Sequence, residues 1–166
     1  VGFEGGSKSK NEETKTLNVT AIMAETEEIY PDRVMDHYED PYHRGDCERA
    51  SHRHSARSPV CGDEISVELR VDSAGTIREG WFDGEGCCVS QAAASMLMEY
   101  VEGKTAEEVK AFTAKDMLDL FGFGLTPNRQ ECCWLSWQVL QAAIHSPLSD
   151  LDGGAKFGGP NLGEEQ

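Results

Sequence analysis

The chain has 166 residues, enough for one domain with tails and for a core that needs neither disulfides nor metal to hold together. Its formal net charge is −15; residues 1–28 and 147–166 each carry −3, which leaves −9 on the middle of the chain. A body this acidic repels phosphate backbones, which argues against nucleic acid as a partner and favours basic proteins and cations. No stretch approaches the roughly 18 consecutive apolar residues of a membrane span, and the first residues lack the apolar core of an export signal. The expected setting is therefore cytoplasmic, without membrane contact, and the six cysteines read as thiols or metal ligands rather than disulfides.

Residues 1–28 are mostly Lys, Glu, Thr, Ser and Gly and read as a disordered acidic tail. Ile29, Tyr30, Val34, Met35 and Tyr38 recur at helical spacing, predicting one amphipathic helix that Pro41 ends. Residues 42–58 are rich in His, Arg and Ser, show no periodicity and read as a loop. Ile65, Val67, Leu69 and Val71 alternate with Glu64, Ser66, Glu68 and Arg70, the period of a half-buried strand. A turn at Asp72–Gly75 lets residues 76–83 return as its antiparallel partner. Gly84 and Gly86 break the chain before a helix from Ser90 to Val101, with Ala93, Met96, Leu97, Tyr100 and Val101 on its buried side. Thr105 with Glu108, and Thr113 with Asp116, offer starts for two short helices. Pro127 suits the first turn of a last helix with Leu135, Val139, Leu140, Ala143 and Ile144 as its apolar stripe. Residues 147–166 return to Gly, Pro and acids, a flexible tail, so that the folded domain spans 29–146. Strands followed by helices make the class α+β, with helices packed on one face of a small antiparallel sheet.

Three cysteines sit where the chain changes direction: Cys61 before the first strand, Cys87 between a strand and a helix, and Cys132 at the start of the last helix. Backbone N–H groups at a helix N-terminus favour a thiolate, and flanking glycines let the backbone approach a bound ion. Asp63 follows Cys61 by two residues, so in an extended segment both side chains project to one side. Three thiolates and a carboxylate suit zinc. Iron–sulfur clusters usually take four cysteines, so one aspartate would leave a cluster more weakly held. Buried structural cysteines are the competing reading of these spacings.

Four segments in order carry a more specific signal: YPDRVMDHY at 30–38, PVCGDE at 59–64, GEGCCVSQAAAS at 84–95 and RQECCWLSW at 129–137. In them the chain resembles the NifU N-terminal/IscU/SufU family. The resemblance implies an α+β scaffold with a three-stranded antiparallel sheet. It also implies a site of Cys61, Asp63, Cys87 and Cys132 holding zinc or a transient 2Fe–2S cluster, a cysteine desulfurase as sulfur donor and recipient apoproteins as acceptors. Two branches compete. In the IscU branch the chain is a scaffold; in the SufU branch it is a zinc-dependent sulfurtransferase carrying persulfide sulfur, the one reading that would make it an enzyme. Arg129 and Leu135-Ser136-Trp137 resemble SufU. The 45 positions from Cys87 to Cys132 leave no room for the SufU insertion, and Glu131 stands where IscU proteins place a histidine. The scaffold reading is preferred on the missing insertion. Leu125–Arg129 matches the IscU chaperone-binding peptide only loosely, which puts chaperone recognition in doubt.

Cys132 and Cys87 are the candidate persulfide acceptors, with a lean to Cys132 beside Arg129, which could pair with Asp63 or Glu131. Cys88 and Cys133 read as small core residues, Cys47 as an incidental loop cysteine and His37 as structural. Glu131 reads as a solvated carboxylate or an alternative ligand. His43, His52 and His54, with Arg44, Arg49, Arg53 and Arg57, make either a solvated loop or a docking segment beside Cys61.

Overall fold

Helix α1 runs over Asp32–Glu39 and is followed by strands β1, His52–Arg57, β2, Glu64–Val71, and β3, Ile77–Glu85. Then come helices α2, Cys88–Val101, α3, Ala106–Lys110, α4, Ala114–Phe121, and α5, Pro127–Ile144. These belong to a computed structural model that describes residues 30–148. The expected tails at 1–28 and from residue 149 onward lie outside the described residues. Pro147 and Leu148, assigned to the tail, are tied to the sheet: Pro147 bridges His52, and the Leu148 N–H donates to the Ser51 carbonyl at 2.8 Å.

The strands form an antiparallel sheet in the order β1-β2-β3, with His54 opposite Val67 and Val67 opposite Phe82. Ile65, Val67, Leu69 and Phe82 share one face and are fully buried, because successive strand residues alternate sides. Helix α5 covers that face over β1 and β2 and helix α2 covers it over β3, while the two helices also pack on each other. Gly80 permits the close approach of α2, since a Cβ there would stand 3.1 Å from Met98 Sδ and 3.3 Å from Val101 Cγ2. Helix α1 packs outside α2, and α4 packs against α2 and α5.

Two expectations need correction. The 42–58 segment is not one loop: its second half is strand β1. There the buried positions are His54 and Ala56, not Val or Ile, so the alternation carried no hydrophobic signal. Its first half begins along the free edge of β3, where Arg44 bridges Phe82 in parallel and the Gly45 N–H donates to the Phe82 carbonyl at 2.8 Å. It then crosses the outer face of the sheet, with His43 stacked between Tyr42 and Trp81 and the Cys47 N–H on Glu68. Helix α2 was expected to bury one side, but every residue from Val89 to Met98 is buried. It is enclosed by the sheet, α1 and α5 together, which explains why Ala and Ser fill the positions between its large side chains.

Candidate metal centre

Three elements far apart in sequence meet at one end of the sheet. The first is the turn between β1 and β2. The Ser58 N–H donates to the Asp63 carbonyl at 2.8 Å and the Gly62 N–H to the Ser58 carbonyl at 2.9 Å. Ser58 Oγ accepts from the N–H groups of Val60 and Cys61, each at 3.3 Å. Gly62 closes the turn at a φ of +75°, a left-handed conformation that disfavours a side chain. The result is a braced turn that presents Cys61 and Asp63.

The second element is the junction of β3 and α2. Gly84, at φ +145°, lies against the backbone of Glu64 and Ile65 so closely that a Cβ would overlap it. Gly86 lacks the atom that would stand 2.7 Å from Asp63 Cγ. The chain can therefore pass beside the β1–β2 turn, and Cys87 becomes the N-cap of α2 without a side-chain cap bond. Its N–H donates to Asp63 Oδ2 at 3.3 Å, one of the N-terminal groups that a helix leaves unpaired.

The third is α5. Sγ of Cys61, Sγ of Cys132 and a carboxylate oxygen of Asp63 lie within 4.8 Å of one another. Cys87 adjoins this group rather than sharing its tight centre: its N–H holds Asp63, and its thiol is among the neighbours that raise the Cys132 thiol. Two soft sulfur donors and a hard oxygen donor thus share one small volume, with a third thiol at its edge. That donor set fits a thiophilic ion such as zinc or iron.

The helix begins at Pro127, which places Cys132 in its second turn, and its Sγ contacts the Asn128 carbonyl at 3.5 Å. The expected benefit of an N-terminal position is therefore absent for Cys132, because the dipole effect fades within the first turn. Cys132 is 4 % exposed. Burial, followed by the neighbouring thiols of Cys87 and Cys61, pushes its thiol far above the ordinary range. A bound cation would reverse that balance by taking the proton's place. Cys61 and Cys87 are half-buried and more accessible.

Cys133 is fully buried, which raises its thiol to about 12, whereas Cys88 is half-buried rather than a core residue. Cys47 is buried on the outer face of the sheet, with its N–H on Glu68 Oε2 at 2.7 Å and its thiol raised to about 11. Glu131 lies outside the tight group and lines a neighbouring groove with Pro59 and Val60. The basic segment is largely neutralised: Arg44 pairs with Asp83, Arg53 with Glu68 and Arg57 with Glu64. His37 bonds Ser95 Oγ at 2.7 Å, joining α1 to α2. Ser58 and Ser90 escaped the sequence reading. Ser58 opens a Ser-Pro-x-x-Gly turn, a readable signal, and Ser90 stands three residues after the cap at Cys87, as one helical turn requires.

Comparison with known proteins follows the same residues. The family described as "NifU-like N terminal domain" matches over residues 29–148. The zinc-dependent sulfurtransferase SufU of Bacillus subtilis (strain 168) is 28 % identical over 141 residues, covering 75 % of this chain and 95 % of the relative. The iron–sulfur cluster assembly scaffold protein IscU of Haemophilus influenzae is 30 % identical over 118 residues, covering 69 % and 92 %. A crystal structure described only as a hypothetical protein is 29 % identical and superposes with a TM-score of 0.59, covering 69 % of this chain and 95 % of the other.

Proposed function

The chain belongs to the NifU-like N-terminal domain family, and from that premise we propose that it is an iron–sulfur cluster assembly scaffold. In this reading it receives sulfur from a cysteine desulfurase. It holds a transient 2Fe–2S cluster, or the metal ion preceding it, on Cys61, Asp63, Cys87 and Cys132 and delivers it to recipient apoproteins. The observation that carries the reading is the tight group of Cys61, Asp63 and Cys132, with Cys87 at its edge. The cluster is cargo. Three thiolates hold it through soft bonds, and the single hard carboxylate is the ligand most readily exchanged.

Sulfur enters by thiolate attack on the outer sulfur of the desulfurase persulfide: a new S–S bond forms to the scaffold cysteine, and the desulfurase cysteine leaves as thiolate. Conversion of that sulfur to sulfide takes two further electrons from a separate electron carrier. Cys87 and Cys132 are the proposed acceptors. Accessibility favours Cys87, which is half-buried and caps a helix, so the lean from sequence toward Cys132 reverses. The test is desulfurase with labelled cysteine, followed by mass-spectrometric mapping in single Cys→Ser variants at positions 61, 87, 88, 132 and 133. Label is expected to fall most in Cys87→Ser. Full labelling of both Cys87→Ser and Cys132→Ser would contradict the assignment. A zinc-dependent sulfurtransferase is the second reading, supported by the likeness to the Bacillus relative, and it predicts zinc without acid-labile sulfide.

A further inference from the structure

Ser90 lies in the first turn of α2 with its side chain fully buried. Its hydroxyl donates to the Cys87 carbonyl at 3.0 Å, and the Cys87 thiol lies 3.9 Å from the same Oγ. Asp63 lies against the same space. The space both occupy exists only because residue 86 is glycine: a Cβ there would overlap Ser90 Oγ and stand 2.7 Å from Asp63 Cγ. Gly86 is not among the glycines with positive φ, so the requirement is for room rather than for an unusual backbone.

A serine within a helix often bonds the carbonyl a turn behind it. That habit accounts for the bond to Cys87 O, but not for a cleared volume shared with a carboxylate and a thiol. A hydroxyl has one proton to donate and two lone pairs to accept with, whereas a metal-bound thiolate can only accept. We propose that Ser90 is a positioning residue of the metal centre: its hydroxyl accepts from the Cys87 thiol in the free protein and turns to donate to Cys87 Sγ when that sulfur binds a metal. The inference rests on Cys87 being a ligand, as in the function proposed above. Ser90 touches no metal itself. It fixes the side-chain direction of Cys87, as outer partners orient a ligand, and its donated O–H draws electron density from the bound sulfur.

The test is anaerobic titration with cobalt(II), which reports thiolate ligation by its charge-transfer absorption, followed by competition with zinc. Ser90→Ala is expected to weaken zinc binding by about 10- to 100-fold, the usual effect of removing an outer-shell partner. It should also move the sulfur-to-cobalt band to longer wavelength, because a thiolate without its hydrogen bond is the better electron donor. Gly86→Ala should weaken binding in the same way by displacing Ser90 Oγ and Asp63. Ser90→Thr and Ser90→Val share one shape and differ in the hydroxyl, so they carry the same comparison if the alanine variant does not fold. Equal affinity and equal band position in the threonine and valine variants would overturn the role of Ser90 while leaving the ligand assignment intact. A parent protein that gives no thiolate band would instead remove the ligand assignment itself.

Discussion

Asp63 occupies a position between two demands. One oxygen accepts the Cys87 N–H at 3.3 Å, and a carboxylate oxygen also falls within the tight group formed with Cys61 and Cys132. A carboxylate released from a metal would therefore find a partner waiting at the N-terminus of α2, where unpaired N–H groups and the dipole favour negative charge. As a hard ligand among soft sulfurs, a bound carboxylate would exchange more readily than a thiolate. It follows that Asp63→Ala should keep a reconstituted cluster longer while passing it on more slowly. Cluster absorbance followed under air, and then in the presence of an apo-acceptor, measures both rates against the parent. A variant that loses its cluster faster would make Asp63 a holding ligand instead of the point of release. Cys132 shows the opposite character. It is buried and strongly disfavoured as a free thiolate, so it suits a ligand whose charge is neutralised by its cargo.

At the scale of elements, the site depends on α5 staying docked against β1 and β2, because α5 carries Cys132 and the β1–β2 turn carries Cys61. His54 belongs to the face of β1 beneath that helix. Its side chain is buried, and Nε2 has no partner among the described residues. Burial lowers its pKa below the ordinary 6.5. The unfolded chain therefore takes up a proton first as pH falls below about 6.5, and stability is lost from that point downward. His37, also lowered by burial, acts in the same direction. His54→Leu is expected to lose less stability than the parent between pH 7 and pH 5, as measured by urea unfolding at both values; an unchanged difference would show that His54 is not a source of the acid sensitivity. The same residue explains what the sequence could and could not reveal. Strand β2 was legible because Ile65, Val67 and Leu69 mark one face by hydrophobicity alone. Strand β1 was not, because its buried positions are His54 and Ala56, whose burial comes from α5 above them and not from their own character. The capping boxes at Thr105 and Thr113 form as their spacing predicts, since capping is local chemistry. Of the four residues that the ordered motifs singled out, Cys61, Asp63 and Cys132 come together in the fold, with Cys87 beside them. The bracing by Ser58 is readable only in its Ser-Pro-x-x-Gly turn, and Ser90 shows itself only by standing one helical turn after Cys87.

Over the whole described domain, the chain brings three segments to one end of the sheet, separated by stretches that build the core between them. Cys61 follows β1, Cys87 follows β3, and Cys132 comes only after two further short helices. A ligand held by all three would link the turn, α2 and α5, coupling occupancy to the stability of the fold by mass action. The domain is acidic, with −9 over residues 29–146, which attracts cations and basic protein surfaces and makes such encounters sensitive to salt. In the proposed function this end of the domain assembles an iron–sulfur cluster on the four named residues. The most direct measurement is iron, zinc and acid-labile sulfide per chain after anaerobic incubation with a cysteine desulfurase, cysteine, ferrous iron and a reductant, in the parent and in Cys132→Ser. Iron and sulfide are expected in equal amounts on the parent and little of either on the variant. Zinc without sulfide on the parent, or equal iron and sulfide retained by Cys132→Ser, would contradict it.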